Sequence, residues 1–327
     1  MTAASPPARL RPRWLRRFDP AVLTACGCIV ALLLVGSLYT RAFLSPTYLL
    51  QQLQVGSFLA IIATGMMIVV LLGQIDLSVP WAVAVGGMMS TAAAGHGPAG
   101  SALAIPFGVL CGLALGLVNG VGVAYLRVPS MIFTLGVDAV AQGLMILRTG
   151  GAAPQDMATP AMQVLATGHA VAGVPNAVWI WVAIGAATVF LLNRTTFGRA
   201  VYGIGNQERS AYLSGIRSQR VVMLAFVISG GLSALAGTLL AGYSTKAYQG
   251  MGDPYLLPAI AAVVLGGTSI MGGRGSYLGT TAGVILITLL QSILSVMQMS
   301  DAGRQVIYGV VILGMLLLYG RTPRPGR

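Results

Sequence analysis

Three polar residues stand four positions apart inside one apolar stretch of the chain, Thr134, Asp138 and Gln142. The spacing i, i+4, i+8 places them on one face of a helix. Hydroxyl, carboxylate and amide together can exchange hydrogen bonds with a hydroxylated solute. Asp138 can also act as a proton-carrying site or as a buried partner for an amide or basic group. At mid-bilayer an ionisable side chain costs about 2.5–3.5 kcal/mol on insertion scales, so it is expected to face a bundle interior or a pathway. Asn119, in the preceding glycine-rich stretch, is a fourth candidate for pathway lining, and interhelical hydrogen bonding is the structural alternative for it and for Thr134. Asp76 and Ser78 lie between two apolar runs, where they suit either N-capping of the following helix or a place at the mouth of a pathway.

Other chemistries lack their residues. A phosphate-binding loop needs Gly-Lys-Ser/Thr, yet the sole lysine, Lys246, lies between Thr245 and Ala247. His96 and His169 have no acidic neighbours at metal-ligand spacing, and a paired intramembrane aspartate for Asp138 is missing. Cys26, Cys28 and Cys111 form neither a CxxC pair nor a ligand set and read as small buried apolar groups. The chain is therefore expected to be no enzyme and to bind no metal or cofactor of its own.

The elements that must hold these residues are membrane spans. Of 327 residues, 56% are hydrophobic and 8% charged, with mean hydropathy +0.83, far from soluble composition. Apolar runs of about 17–25 residues read as spanning helices. Ten candidate stretches emerge, at 21–40, 53–73, 78–94, 101–125, 131–148, 177–193, 220–242, 257–270, 278–298 and 304–320, the eighth of them below that length. This predicts an all-α, polytopic membrane domain over 21–320, with a basic tail at 1–20 and a short tail at 321–327. The third and eighth stretches are short and flanked by Gly or Pro, as broken helices beside a pathway are. Gly108, Gly112, Gly116 and Gly120 repeat at every fourth position and predict close helix packing.

The net charge of +12 does not form a nucleic-acid stripe, because its arginines cluster at the ends of apolar runs. With the amino terminus inside, fifteen basic residues fall on the cytoplasmic side, and Arg41, Arg148, Lys246 and Arg304 fall outside. That asymmetry and the even number of spans predict two cytoplasmic termini. The first apolar run reads as a retained span, not a cleaved signal.

The longest polar block, TTFGRAVYGIGNQERSAYLSGI (Thr195 to Ile216), belongs to a cytoplasmic loop at 194–220. Glu208, Arg209, Ser210, Ala211, Tyr212 and Leu213 are compatible with a short helix between Gly205 and Gly215, which can end or redirect it. Such a helix would expose Tyr212 and Leu213 as an apolar knob for a partner's groove. The alternative is an amphipathic segment lying on lipid headgroups. On the opposite side, the connection from Thr149 to Pro175 is a candidate contact for an external partner, and Asp253-Pro254 reads as a turn.

GMMIVVLLGQIDLSVP (Gly65 to Pro80), GLVNGVGVAYLRVPSMIFTLG (Gly116 to Gly136), the Thr195–Ile216 block and AIAAVVLGGTSIMGGRGSYLGTTAG (Ala259 to Gly283) occur in one order. With them, the chain over roughly 50 to 320 resembles the permease subunits of bacterial ATP-binding-cassette importers of the ribose, xylose and galactose type. Gln74 and Pro80 stand where that family usually has glycine, and Ser130 where a second proline is common. The resemblance implies a multi-pass inner-membrane subunit that receives a monosaccharide from a periplasmic or extracellular binding protein. It would pair with a second permease copy or a similar chain. It also implies a cytoplasmic cassette ATPase that uses ATP and Mg and grips the short cytoplasmic helix. Asp76, Ser78, Gly266, Gly267, Gly272 and Gly273 then fall in motif or gate segments. Nucleosides or branched-chain amino acids are alternative cargoes, and an ion-coupled secondary transporter using Asp138 is the alternative mechanism.

Overall fold

The structure is a computed structural model that describes residues 20–39, 41–152 and 154–320. The residues of the expected tails, 1–19 and 321–327, lie outside it. Among the described residues the chain is all-helical, and each of the ten apolar stretches is a helix. In order these are α1 (Pro20–Tyr39), α2 (Pro46–Leu71), α3 (Val79–Ala94), α4 (Gly97–Ala124) and α5 (Ser130–Thr149), then, after the short α6 (Pro160–Thr167), α7 (Asn176–Arg194). Two polar-block helices follow, α8 (Thr196–Asn206) and α9 (Glu208–Leu213), and then α10 (Ser218–Ser244), α11 (Leu256–Leu265), α12 (Tyr277–Val296) and α13 (Asp301–Gly320). Six of them, α2, α4, α5, α7, α10 and α12, are long and apolar enough to cross a membrane.

α2 is the central post. Ser45 accepts a hydrogen bond from the Tyr48 amide (3.3 Å) and Pro46 opens the first turn, a start signal that fits the unbonded first amides of a helix. From Gly56 to Leu71 every residue is buried. Such a helix is apolar all round because it has neighbours all round. α5 is the reverse case, with Ser130, Thr134 and Ala141 its only buried residues.

Glycine sets how closely α4 approaches α10. A Cβ on Gly112 would lie 2.5 Å from the Gly230 carbonyl oxygen, and one on Gly116 would lie 2.3 Å from that of Phe226. In return, a Cβ on Gly230 would meet the Gly112 carbonyl oxygen at 2.4 Å. α10 approaches α3 in the same way, Gly237 resting on the Val83 carbonyl. Without a hydrophobic drive between helices in lipid, such backbone approach supplies the packing contacts.

Three features depart from the sequence reading. Cys26 and Cys28 are exposed instead of buried, because α1 lies at the periphery and turns them outward. The connection from Thr149 to Pro175 contains α6, whose Thr159 hydroxyl accepts from the Met162 amide (3.2 Å) and whose Met162 and Ala166 are buried. The polar block forms two helices, and Gly205 lies inside α8; the break before α9 falls at Gln207, whose backbone is extended (φ −161°, ψ 104°).

Candidate functional site

α2 stops at Leu71 and α3 starts at Val79, so the intervening segment must find hydrogen-bond partners outside a helix. At membrane depth such irregular backbone is tolerated only where protein or a water-filled cavity satisfies it. α5 supplies acceptors along the break. Ser130 Oγ accepts from the Ile75 amide (3.2 Å), Thr134 Oγ1 from the Leu77 amide (3.0 Å) and Asp138 Oδ1 from the Trp81 amide (3.3 Å). The shared helix face expected for Thr134 and Asp138 is thus present, with Ser130 one turn earlier. Gln142, one turn later, is exposed.

Trp81 is the third residue of α3, so Asp138 caps that helix from another helix. Its carboxylate sits at the positive end of the α3 dipole, where negative charge is stabilising. Ser78 occupies the N-cap position but makes no side-chain cap bond, which corrects the capping role read from sequence. Its hydroxyl is turned to Asp76 instead.

Asp76 is 1% exposed. Its Oδ1 accepts from the Ser78 amide (3.0 Å) and hydroxyl (2.7 Å), and its Oδ2 accepts from Ser229 Oγ of α10 (2.9 Å). Asn119 Nδ2 of α4 donates to Ser78 Oγ (2.6 Å). One buried polar cluster therefore ties the break to α4 and α10. Asn119 Oδ1 is buried within it without a hydrogen-bond partner.

The second irregular segment, 266–276, separates α11 from α12. Gly267, Gly272 and Gly273 have φ of +86°, +81° and +75°, a region that L side chains seldom enter. Gly266 and Gly279 pack backbone to backbone, a Cβ on either lying within 2.4 Å of the other's carbonyl oxygen. The two breaks touch: the Gly273 amide donates to the Leu71 carbonyl (2.9 Å). Arg274 is exposed.

α9 presents the expected knob. Tyr212 is 72% and Leu213 78% exposed, and Ala211 faces inward at 5%. Its end is a Schellman turn, with the Ile216 amide on the Ala211 carbonyl (3.1 Å), the Gly215 amide on the Tyr212 carbonyl (2.9 Å) and Gly215 at φ +82°. Gly215 thus ends the helix as its position suggested. Beside α9 lies a cleft of about 1280 Å³ lined in part by Arg127, Arg209, Arg217 and Arg220.

Ser130 and Ser229 are the site residues that sequence reasoning missed as hydrogen-bonding groups. In the sequence Ser130 stands out only as a departure from proline, and Ser229 is one hydroxyl in a run of small residues. No cluster of three or more His, Cys, Asp or Glu that could hold a metal occurs among the described residues.

A bundle of apolar helices with two mutually contacting breaks, one of them anchored by a buried polar cluster, defines a polytopic membrane protein. Residues 48–318 match the family described as branched-chain amino acid transport system, permease component, and the chain belongs to that family. It is a multi-pass protein of the bacterial inner membrane. It is 34% identical to the ribose import permease protein of Haemophilus influenzae over 292 residues, covering 88% of this chain and 90% of the relative. Identity to the ribose import permease protein of Bacillus subtilis is 36% over 290 residues, covering 88% and 89%. Identity to the autoinducer 2 import system permease protein of Yersinia pestis is 31% over 307 residues, covering 91% and 84%. No solved structure gives a significant match.

Proposed function

We propose that this chain is the membrane-spanning subunit of an ATP-binding-cassette importer that translocates a monosaccharide, a pentose or hexose, delivered by an extracytoplasmic binding protein. The observation that carries this reading is near-full-length similarity to two ribose import permeases. That similarity favours a sugar over the branched-chain amino acid of the family's description or a nucleoside. ATP and Mg are used by separate ATPase subunits, and this chain performs no hydrolysis. All ten apolar helices cross or enter the membrane with both termini in the cytoplasm, and two permease copies, identical or similar, enclose the pathway.

The exposed pair Tyr212 and Leu213 on α9 supports the coupling role of Glu208–Leu213, because an apolar knob amid charge suits a partner's groove. The exposed Gln142 and the half-buried Asp138 support a pathway along α5, since neither belongs against lipid tails. Asn119 and Thr134 reach that pathway through the break they hold. The use of Asp138 Oδ1 on the Trp81 amide favours the ATP-driven reading over a proton-coupled one. Uptake of labelled monosaccharides, nucleosides and leucine by cells with and without the gene tests the cargo. Selective loss of one monosaccharide is expected; loss of leucine or nucleoside uptake alone overturns the sugar reading.

A further inference from the structure

α8 does more than lead into α9. A Cβ placed on Gly205 would lie 1.9 Å from the Leu71 carbonyl oxygen and 2.5 Å from the Gly273 amide nitrogen. One on Gly272 would lie 2.7 Å from the Gly73 amide nitrogen and 3.0 Å from the Gly205 carbonyl oxygen, and one on Gly273 would meet Asn206 backbone atoms at 2.8 Å. The end of α2, the end of α8 and the loop of the second break therefore meet as bare backbone. One helical turn before Gly205, the Tyr202 hydroxyl donates to the Gly275 carbonyl (3.0 Å), so α8 holds the loop at two points. Burial pushes the Tyr202 phenol above its ordinary range, and it stays a donor across physiological pH.

Packed backbone is stiff. A side chain can swing to absorb a sub-ångström shift, but close-packed atoms pass it on, and packed interfaces tend to switch between discrete arrangements. On one side of the junction, α9 packs on α8 and carries the exposed knob. On the other, Leu71 is the last residue of α2, directly before the first break, and α5 holds that break through Ser130, Thr134 and Asp138.

We infer that Gly205 is a positioning residue, whose side-chain-free contact with Leu71 and Gly273 relays displacement of α9 into both broken segments and so to the α5 face. The inference rests on the proposed role of α9 as the ATPase-gripped helix. It makes Gly205 a determinant of coupling, the amount of solute moved per ATP hydrolysed, and not of assembly.

The test uses the permease with its ATPase and binding protein in proteoliposomes, reading co-purification, ATP hydrolysis and uptake together. Gly205→Ala is expected to keep the ATPase bound and hydrolysing while uptake per ATP falls about fivefold or more. Gly203→Ala on the same helix, where a Cβ meets only Ile216 Cδ1 at 3.8 Å, should match the parent ratio. An unchanged ratio in Gly205→Ala overturns the relay. If that variant does not accumulate, Tyr202→Phe, which adds no volume, is read by the same ratio; a drop of about twofold supports the relay and an unchanged ratio overturns it. Parent protein that binds no ATPase would instead overturn the importer reading itself.

Discussion

The carboxylate of Asp138 on α5 accepts a 3.3 Å hydrogen bond from the backbone amide of Trp81 in the first turn of α3. An intramembrane acidic residue thereby has a structural reason to be there, since a helix that starts inside the bundle needs acceptors for its first amides. Asp138→Asn keeps an acceptor oxygen and loses only the charge, whereas Asp138→Ala loses both. In detergent, Asp138→Ala should be destabilised by about 1 kcal/mol and Asp138→Asn by less than half of that. Thermal unfolding measures the order; equal losses would deny the cap.

Asp76 should be the more sensitive acid. Its removal strands the hydroxyl of Ser229 and frees that of Ser78, both buried. Asp76→Leu should cost about 1–3 kcal/mol per stranded group. A cycle with Ser229→Ala should return a coupling energy of about 0.5–3 kcal/mol, read by denaturant unfolding. Strict additivity would mean that the 2.9 Å contact contributes nothing.

Glycines on different helices should respond oppositely to one methyl group. Gly112→Ala drives a Cβ to 2.2 Å from the Ala234 Cβ and should cost about 1–3 kcal/mol or abolish accumulation. Gly143→Ala on α5, with nothing within 4 Å, should stabilise by about 0.5–1 kcal/mol. Parallel thermal scans of the two proteins separate packing from backbone entropy.

The α9 knob predicts a failure of assembly without a failure of folding. Tyr212→Asp with Leu213→Asp changes two side chains that are more than two-thirds exposed, so the permease should insert and unfold as the parent does. Co-purification with its ATPase should fall at least about tenfold, as for loss of an interface anchor. Retained association would show that the partner grips another surface.

The helices were legible because long apolar runs have one solution in a bilayer, and the α4 glycine repeat marked a face for close helix packing. The exposure of Tyr212 and Leu213 on a short helix ended by Gly215 was legible too, since these are local signals. What could not be read were relationships across the chain. Ser78 looked like a cap because its own neighbours suggest one, yet Asp76 takes its hydroxyl and Asp138, sixty residues on, caps the helix. Gly205 looked like a terminator, but the carbonyl that excludes a side chain there belongs to Leu71. The eight residues of α6 were too few to carry a period, and only the Thr159-Pro160 start signalled them.

In the proposed importer role, this permease moves solute only when a separate ATPase turns over. The decisive measurement is ATP-dependent uptake of a labelled monosaccharide into proteoliposomes holding the permease, the ATPase and the binding protein. Uptake is predicted to require all three and ATP, and to survive Asp138→Asn. Uptake by the permease alone, driven by a proton gradient and abolished by Asp138→Asn, would make the protein an ion-coupled transporter instead.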